Sequence, residues 1–340
     1  MRILVATDAW HPQVNGVVRS IEALAGEARL LDAEVDIVTP EGFRTMRMPT
    51  YPDIRLAFVT ASTLGPRIEA MRPDHVHIAT EGPIGLAVRR HCLRAGRVFT
   101  TSYHTRFPDY VAARAPIPRA WSYAWLRWFH NAGRGVMVST PTVADELRRH
   151  GFGNVMRWSR GVDHALFRPR DLSVLDLPRP IFLYVGRVAV EKNVEAFLAL
   201  DLPGTKVVAG DGPSRPDLEA RYPSARFLGM KTGEDLARIY ASADVFVFPS
   251  RTDTFGIVLL EALASGLPVA AYPVPGPSDV IGDSDVGVLD EDLGQACRQA
   301  LAVPRQRARE FSLGFTWAAS TRQFLDNVTR VRAAAACAAA

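Results

Sequence analysis

Ser250-Arg-Thr-Asp-Thr-Phe-Gly-Ile-Val-Leu-Leu-Glu-Ala-Leu-Ala-Ser-Gly266 decides how the rest of the chain is read. Before it, Asp244-Val-Phe-Val-Phe-Pro249 has the length and continuous apolarity of a buried strand, and residues 268–272 read as another. Between them lies an apolar run of helical length. Thr254 is a candidate N-cap, and Gly266 a C-terminal stop. Strand, loop, helix and strand make one unit of a parallel sheet. Two carboxylates interrupt it, Asp253 in the loop and Glu261 inside the otherwise apolar helix. A buried Glu is costly without a partner, and free N–H groups at a helix start (Phe255, Gly256) favour oxygen-rich ligands. Two carboxylates beside N–H donors suit a ligand with many hydroxyls.

Working outward, short apolar runs alternate with amphipathic ones along nearly the whole chain. Strands are expected at 3–6, 35–38, 54–59, 75–78, 98–101 and 136–138, and again at 181–185, 206–209, 225–228, 245–248 and 269–272. Helical patterns lie between them, for example at 17–30 and 85–95. This is the pattern of a doubly wound α/β protein. The 340 residues have room for two such domains, and residues 168–180, with three prolines, read as the linker. Residues 315–332 are helical in pattern, and the alanine-rich 333–340 reads as a frayed tail.

Apolar residues make up 48% and charged residues 22%, as in a soluble globular protein. Three cysteines without metal-ligand spacing argue for a reducing compartment. The N-terminal strand pattern breaks at Asp8, too early for a signal peptide. The longest apolar region holds Glu261 and Pro268 and is not a membrane span. The net charge of +4 is uneven: residues 1–165 carry 21 Arg and 15 acids (+6), and the remainder 19 bases and 21 acids (−2). That asymmetry is either compositional drift or the mark of an anionic surface met by the first half.

Three further loops stand out at strand ends. In His11-Pro-Gln-Val-Asn-Gly-Val-Val18, Asn15-Gly16 permits a tight turn with positive φ and a close approach to phosphate, and no G-x-G-x-x-G is present. Tyr184-Val-Gly-Arg-Val-Ala-Val-Glu-Lys-Asn193 puts Arg187 and Lys192 around one loop, two cations suited to a diphosphate. Val208-Ala-Gly-Asp-Gly-Pro213 is a glycine-rich turn. His104, in Ser102-Tyr-His-Thr-Arg-Phe-Pro108, lies just past a strand end, where ligands of parallel sheets bind.

Together these loops resemble the retaining glycosyltransferases of family 4, with the GT-B fold. The match is carried by Asn15-Gly16, Gly186-Arg187 with Glu191-Lys192, Gly210-Asp-Gly-Pro213, and Asp253 to Glu261 at the spacing of the family's E-x7-E signature. Asp253 departs from that signature by standing where it has Glu, which alters reach toward the sugar. The wording is similar to a subgroup of bacterial α-mannosyltransferases, sulfolipid synthases and glucosyl or glucuronosyl diacylglycerol synthases.

The resemblance implies two Rossmann-like domains facing across a cleft. Residues 1–167 would bind acceptor and 168–312 the nucleotide sugar, while 313–332 would pack back on the first domain and 333–340 form a flexible tail. Arg187 and Lys192 would hold the diphosphate without a metal, joined by the Gly16 N–H. Glu261 would take the ribose, and Asp253 with Thr254, Phe255 and Gly256 the sugar. Gly229, Met230 and Lys231 would read the base, and His104 would touch the sugar near the reacting carbon. The donor would be a UDP-sugar or GDP-mannose, the former favoured.

Pro118-Arg-Ala-Trp-Ser-Tyr-Ala-Trp-Leu-Arg-Trp-Phe-His130 bears on the acceptor. Trp121, Trp125 and Trp128 share one helix face, with Arg114, Arg119, Arg127 and Arg134 around it. That face is either core or an interfacial helix dipping into anionic lipid. With the resemblance, the second reading gives a peripheral enzyme on the inner face of the cell membrane, with Tyr103 and this helix near a lipid acceptor such as diacylglycerol or ceramide. The alternative is a GDP-mannose-dependent enzyme acting on a polysaccharide or phospholipid-type acceptor. More distant is a non-catalytic nucleotide-sugar binder. No nucleic-acid module is present.

Overall fold

A computed structural model describes the chain except for residues 14, 49, 50, 113–116, 172 and 340, and without the side chains of 51–53, 110–112, 338 and 339. The chain forms two compact units, Met1–Arg160 with Trp317–Ala340, and Gly161–Thr316.

The first unit holds β1 (Arg2–Ala6), β2 (Glu34–Val38), β3 (Thr45–Met48), β4 (Tyr51–Ala57), β5 (His75–Ile78), β6 (Phe99–Ser102), β7 (Val136–Val138) and β8 (Val155–Arg157). Six of these form a parallel sheet in the order β2-β1-β5-β6-β7-β8. In the second unit, β9 (Ile181–Val185), β10 (Thr205–Ala209), β11 (Arg226–Gly229), β12 (Val245–Phe248), β13 (Val269–Ala271) and β14 (Gly287–Leu289) form another, ordered β11-β10-β9-β12-β13-β14. Each sheet reverses direction of growth beside its first strand, between β1 and β5 and between β9 and β12. Ligands of doubly wound sheets bind at that point, beyond the strands' carboxyl ends.

Continuous apolar strands follow from two-sided burial. In β1, Ile3 and Val5 pack to one side with Phe324, Leu4 and Ala6 to the other. In β9, Ile181, Leu183 and Val185 face one core and Phe182 and Tyr184 the other.

Three expectations are corrected. Residues 54–59 do not add a strand to the parallel sheet. β4 pairs antiparallel with β3 in a separate ribbon, because apolar and charged residues alternate there and no crossover helix precedes it. Residues 168–180 do not link the two units but belong to the second, where Arg170 pairs with Glu234 and Val174 N–H donates to Ser242. The tail is helical, the last helix running Trp317–Ala339, as its alanines favour.

That helix covers a buried polar layer. His75 Nε2 lies 2.9 Å from Thr100 Oγ1, His77 Nδ1 lies 2.8 Å from the same hydroxyl, and His77 Nε2 lies 2.9 Å from Ser102 Oγ. Phe324 meets the His77 ring edge-on, with centroids 4.9 Å apart. Burial, then the Arg332 guanidinium, lowers the His75 pKa to about 4, and burial holds His77 well below its ordinary value. Both imidazoles are therefore neutral when folded but take up protons when unfolded. The His75 contribution is complete above pH ~6.5 and is lost as pH falls through about 4, and that of His77 is lost in the same direction. His75 alone accounts for about 3 kcal/mol of that loss. Urea melts at stepped pH should show it, and a midpoint constant from pH 7 to 4.5 would contradict it.

Candidate functional site

Within the second unit, the loops after β9 and β12 meet at the switch point. The helix after β12 runs Ile257–Ala264. Its N-cap is Gly256, with φ 81°, and not Thr254 as the sequence suggested. A left-handed residue ends the loop here, and glycine supplies it without a Cβ penalty. Gly266 does stop the helix, with φ 77°. Asp253 stands on this loop. Its Oδ1 accepts from Lys192 Nζ at 2.6 Å, and its Oδ2 is buried without a hydrogen-bond partner among the described residues.

Lys192 ends the 3-10 turn Val190–Lys192. Asn193 follows at φ 53° and donates from Nδ2 to the carbonyl of Pro249 at 3.1 Å, while Thr252 Oγ1 donates to Glu191 O. The cationic and acidic loops are thus laced together over 61 residues of sequence.

Arg187 is placed from below. Tyr184 Oη donates to its carbonyl at 2.7 Å, and Val188 N–H donates to Asp211 O at 2.9 Å. The glycine-rich turn therefore does more than reverse the chain. Gly210 has φ 153°, and a Cβ there would sit 1.9 Å from Gly186 O. A Cβ on Gly212 would lie 2.4 Å from Val188 O. Gly210 N–H also donates to Gly229 O at 2.8 Å, which ties in the turn that precedes the half-exposed Met230. Gly210→Ala should displace the Arg187 loop and destabilise this unit by about 3 kcal/mol. Calorimetry would read the fall in its melting temperature, and an unchanged melt would show that the contact is dispensable.

Glu261 is buried, at 2% exposure, and its Oε2 accepts from Tyr240 Oη at 3.1 Å. Tyr240, on the Gly233–Ser242 helix, is a partner that sequence reasoning missed, since nothing local marks it.

In the first unit, Asn15 is extended (φ −148°) and caps the Gly16–Arg29 helix, its side chain accepting from Val17 and Val18 N–H. Neither Asn15 nor Gly16 has positive φ, so the expected left-handed turn is absent. Capping by Asn decided the geometry instead. His104 follows β6, with Nδ1 3.0 Å from Arg160 Nη2 and its ring edge-on to Trp158. Burial, then Arg160, holds its pKa well below the ordinary value. Tyr103, expected near a membrane acceptor, is fully buried with Tyr123, Leu126 and Phe152, and is corrected to a core residue.

The Arg119–His130 helix turns Ser122, Tyr123, Leu126, Phe129 and His130 inward. Trp121, Trp125 and Trp128 are 72%, 36% and 53% exposed, which removes the reading of that stripe as core. Arg89 anchors the helix from beneath, its guanidinium 3.8 Å over Trp128 and donating to the carbonyls of Trp128 and Phe129. Phe107 extends the aromatic face beside Trp125. Arg127 is exposed and donates to His150 O. Arg114 lies outside the described residues. A separate cavity of about 470 Å³ in this unit is lined by His11, Glu41, Phe43, Thr45 and Arg55, and the loops that bear His11 and Glu41 follow β1 and β2.

Residues 14–166 match the description Glycosyltransferase Family 4, and residues 179–303 match Glycosyl transferases group 1. A GDP-mannose-dependent alpha-mannosyltransferase of Mycobacterium tuberculosis is 30% identical over 98% of this chain and 97% of its own length. The chain belongs to glycosyltransferase family 4. An alpha-monoglucosyldiacylglycerol synthase of Streptococcus pneumoniae, 30% identical over 88% of this chain and 78% of its own, is another similar glycosyltransferase. Sucrose-phosphate synthase from Thermosynechococcus elongatus superposes with a TM-score of 0.79, 21% identity and coverage of 98% and 99% of the two chains, and the fold of this family 4 glycosyltransferase is GT-B. No helix among its described residues is long and apolar enough to cross a membrane.

Proposed function

We propose that this glycosyltransferase moves a hexose or hexuronate from a nucleotide sugar to a membrane lipid alcohol, with retention of anomeric configuration. The observation that carries the lipid part is the outward aromatic face of the Arg119–His130 helix. Three tryptophans in water are costly, and a bilayer interface is where such rings settle. The diacylglycerol acceptor in the name of the pneumococcal relative points the same way.

In this reading Arg187 and Lys192 neutralise the donor diphosphate and stabilise the departing nucleotide, a task side-chain cations perform without a metal. Asp253, held by Lys192 through Oδ1, offers its buried Oδ2 to a sugar hydroxyl. The N–H groups of Phe255 and Gly256 continue that floor, and Thr254 lies between. Glu261 takes the ribose, and the Gly229–Met230 turn reads the base. The acceptor hydroxyl is deprotonated by the departing phosphate oxygen on the same face, which gives retention. The cavity beside His11 and Arg55 has a volume suited to the polar end of the acceptor.

Donor choice admits a second reading. The Mycobacterium tuberculosis relative uses GDP-mannose by its name, against the UDP-sugar favoured on the sequence resemblance. One experiment addresses donor and acceptor together: incubation with labelled UDP- and GDP-sugars and a membrane lipid extract, followed by thin-layer chromatography. A labelled lipid with one donor supports the proposal. Label found only in soluble saccharide would refute the lipid acceptor.

A further inference from the structure

His104 and Arg160 come from different parts of the first unit, one just past β6 and the other after β8. Arg160 Nη2 lies 3.0 Å from His104 Nδ1. A guanidinium has N–H donors and no acceptor, so Nδ1 must accept, and the proton of a neutral ring must sit on Nε2.

Arg160 has little freedom to do otherwise. Its Nη1 donates to the carbonyls of Trp158 (2.7 Å) and Ser159 (3.0 Å), and its guanidinium carbon stacks 4.3 Å over the Trp158 ring. Trp158 is fully buried, and its indole N–H donates to Ser320 Oγ at 3.1 Å. Ser159 N–H donates to Gln323 Oε1 at 2.6 Å. Ser320 and Gln323 both stand on the Trp317–Ala339 helix. A chain of hydrogen bonds thus runs from the C-terminal helix through Trp158 and Arg160 to the histidine.

Arg160 is 5% exposed, and no carboxylate pairs with it among the described residues. Burial lowers its pKa to about 9, which leaves it a cation at neutral pH. A buried cation without a carboxylate is costly, and retaining one suggests work for its charge. Arg160, His77 and His130 all oppose protonation of the His104 ring.

We propose that Arg160 is a positioning residue that locks His104 as a neutral imidazole with Nε2–H as donor, so that His104 serves transfer by donating a hydrogen bond to a substrate oxygen and not by taking the acceptor's proton. This rests on the reading of His104 as a substrate-touching residue. It also assigns the acceptor's proton to another base, in agreement with the departing phosphate oxygen proposed above.

The lock is tested without substrate. Spectra of the full-length protein labelled with 15N-histidine, recorded from pH 5.5 to 8, should show His104 in the Nε2–H tautomer without titration. An Nδ1–H tautomer, or charging within that range, overturns the proposal. In Arg160→Met the ring should populate both tautomers while burial still keeps it neutral, and kcat/KM should fall about tenfold. Arg160→Lys, which keeps a donor, should restore both the tautomer and kcat/KM. An unchanged tautomer in Arg160→Met overturns the positioning role. Should that variant fail to fold, the wild-type and Arg160→Lys spectra decide. A correct tautomer with a fully active His104→Phe would refute the transfer role and the site reading while leaving the lock in place.

Discussion

Lys192→Ala is expected to lower kcat by about 10²- to 10³-fold, the scale of removing one charge-stabilising group from a preorganised site. Lys192 sits at the switch point of the second sheet, where its ammonium meets Asp253 at 2.6 Å. Both side chains are about one-fifth exposed or less, at 20% and 17%. The same change therefore strands the Asp253 carboxylate, at a cost of about 1–2 kcal/mol, below that of a fully buried pair because water still reaches both groups. Two measurements separate the effects. Thermal unfolding reads the lost ion pair, and single-turnover kinetics at saturating donor read the lost transition-state charge. A Lys192→Met, Asp253→Leu double variant should recover stability without recovering turnover. Full turnover in Lys192→Ala would remove the residue from the site, whatever its effect on stability.

The strands most legible in the sequence are those buried on both faces. Residues 136–138, 181–185 and 245–248 have the bounds expected of them, because these runs are almost wholly apolar, as burial on both faces of a parallel sheet favours. β8 and β14, at the sheet edges, are three residues long and half-buried, and leave too short a signal to find. Helix starts were misplaced where a backbone requirement outranked side-chain preference, as at Gly256, or where capping did, as at Asn15. The site's loops were visible because glycines and charges cluster at strand ends. Their partners were not. Tyr240 is 21 residues from Glu261 and Arg160 is 56 from His104, and no local pattern encodes such pairings. The tryptophan stripe shows a third limit. Spacing placed three rings on one face, but Tyr123, Leu126 and Phe129 define an equally apolar one, and only packing shows which is inside.

That outward face sets the second large expectation. Replacing Trp121 and Trp128 together with Ser should weaken binding to anionic vesicles by about 10³-fold. If each ring newly takes on the order of 100 Å² of apolar surface out of water at the interface, each contributes about 2 kcal/mol, and the two sum to a factor of that size. These two are the right pair because they are the most exposed, while Trp125 also packs on Phe107 and Phe129. Folding stability should fall by about 1 kcal/mol at most, through the lost stacking of Arg89 on Trp128. Turnover of a short-chain, water-soluble acceptor should persist, since neither ring is needed for chemistry in this reading. Sedimentation with phosphatidylglycerol vesicles against phosphatidylcholine vesicles adds the electrostatic part. The excess of arginine over acids in residues 1–165 predicts tighter binding to the anionic set, and added salt should narrow the difference. The opposing outcome is equally distinct: a double variant that sediments like the wild type would mean that the tryptophans face some other partner, and the lipid acceptor would lose the observation on which it rests.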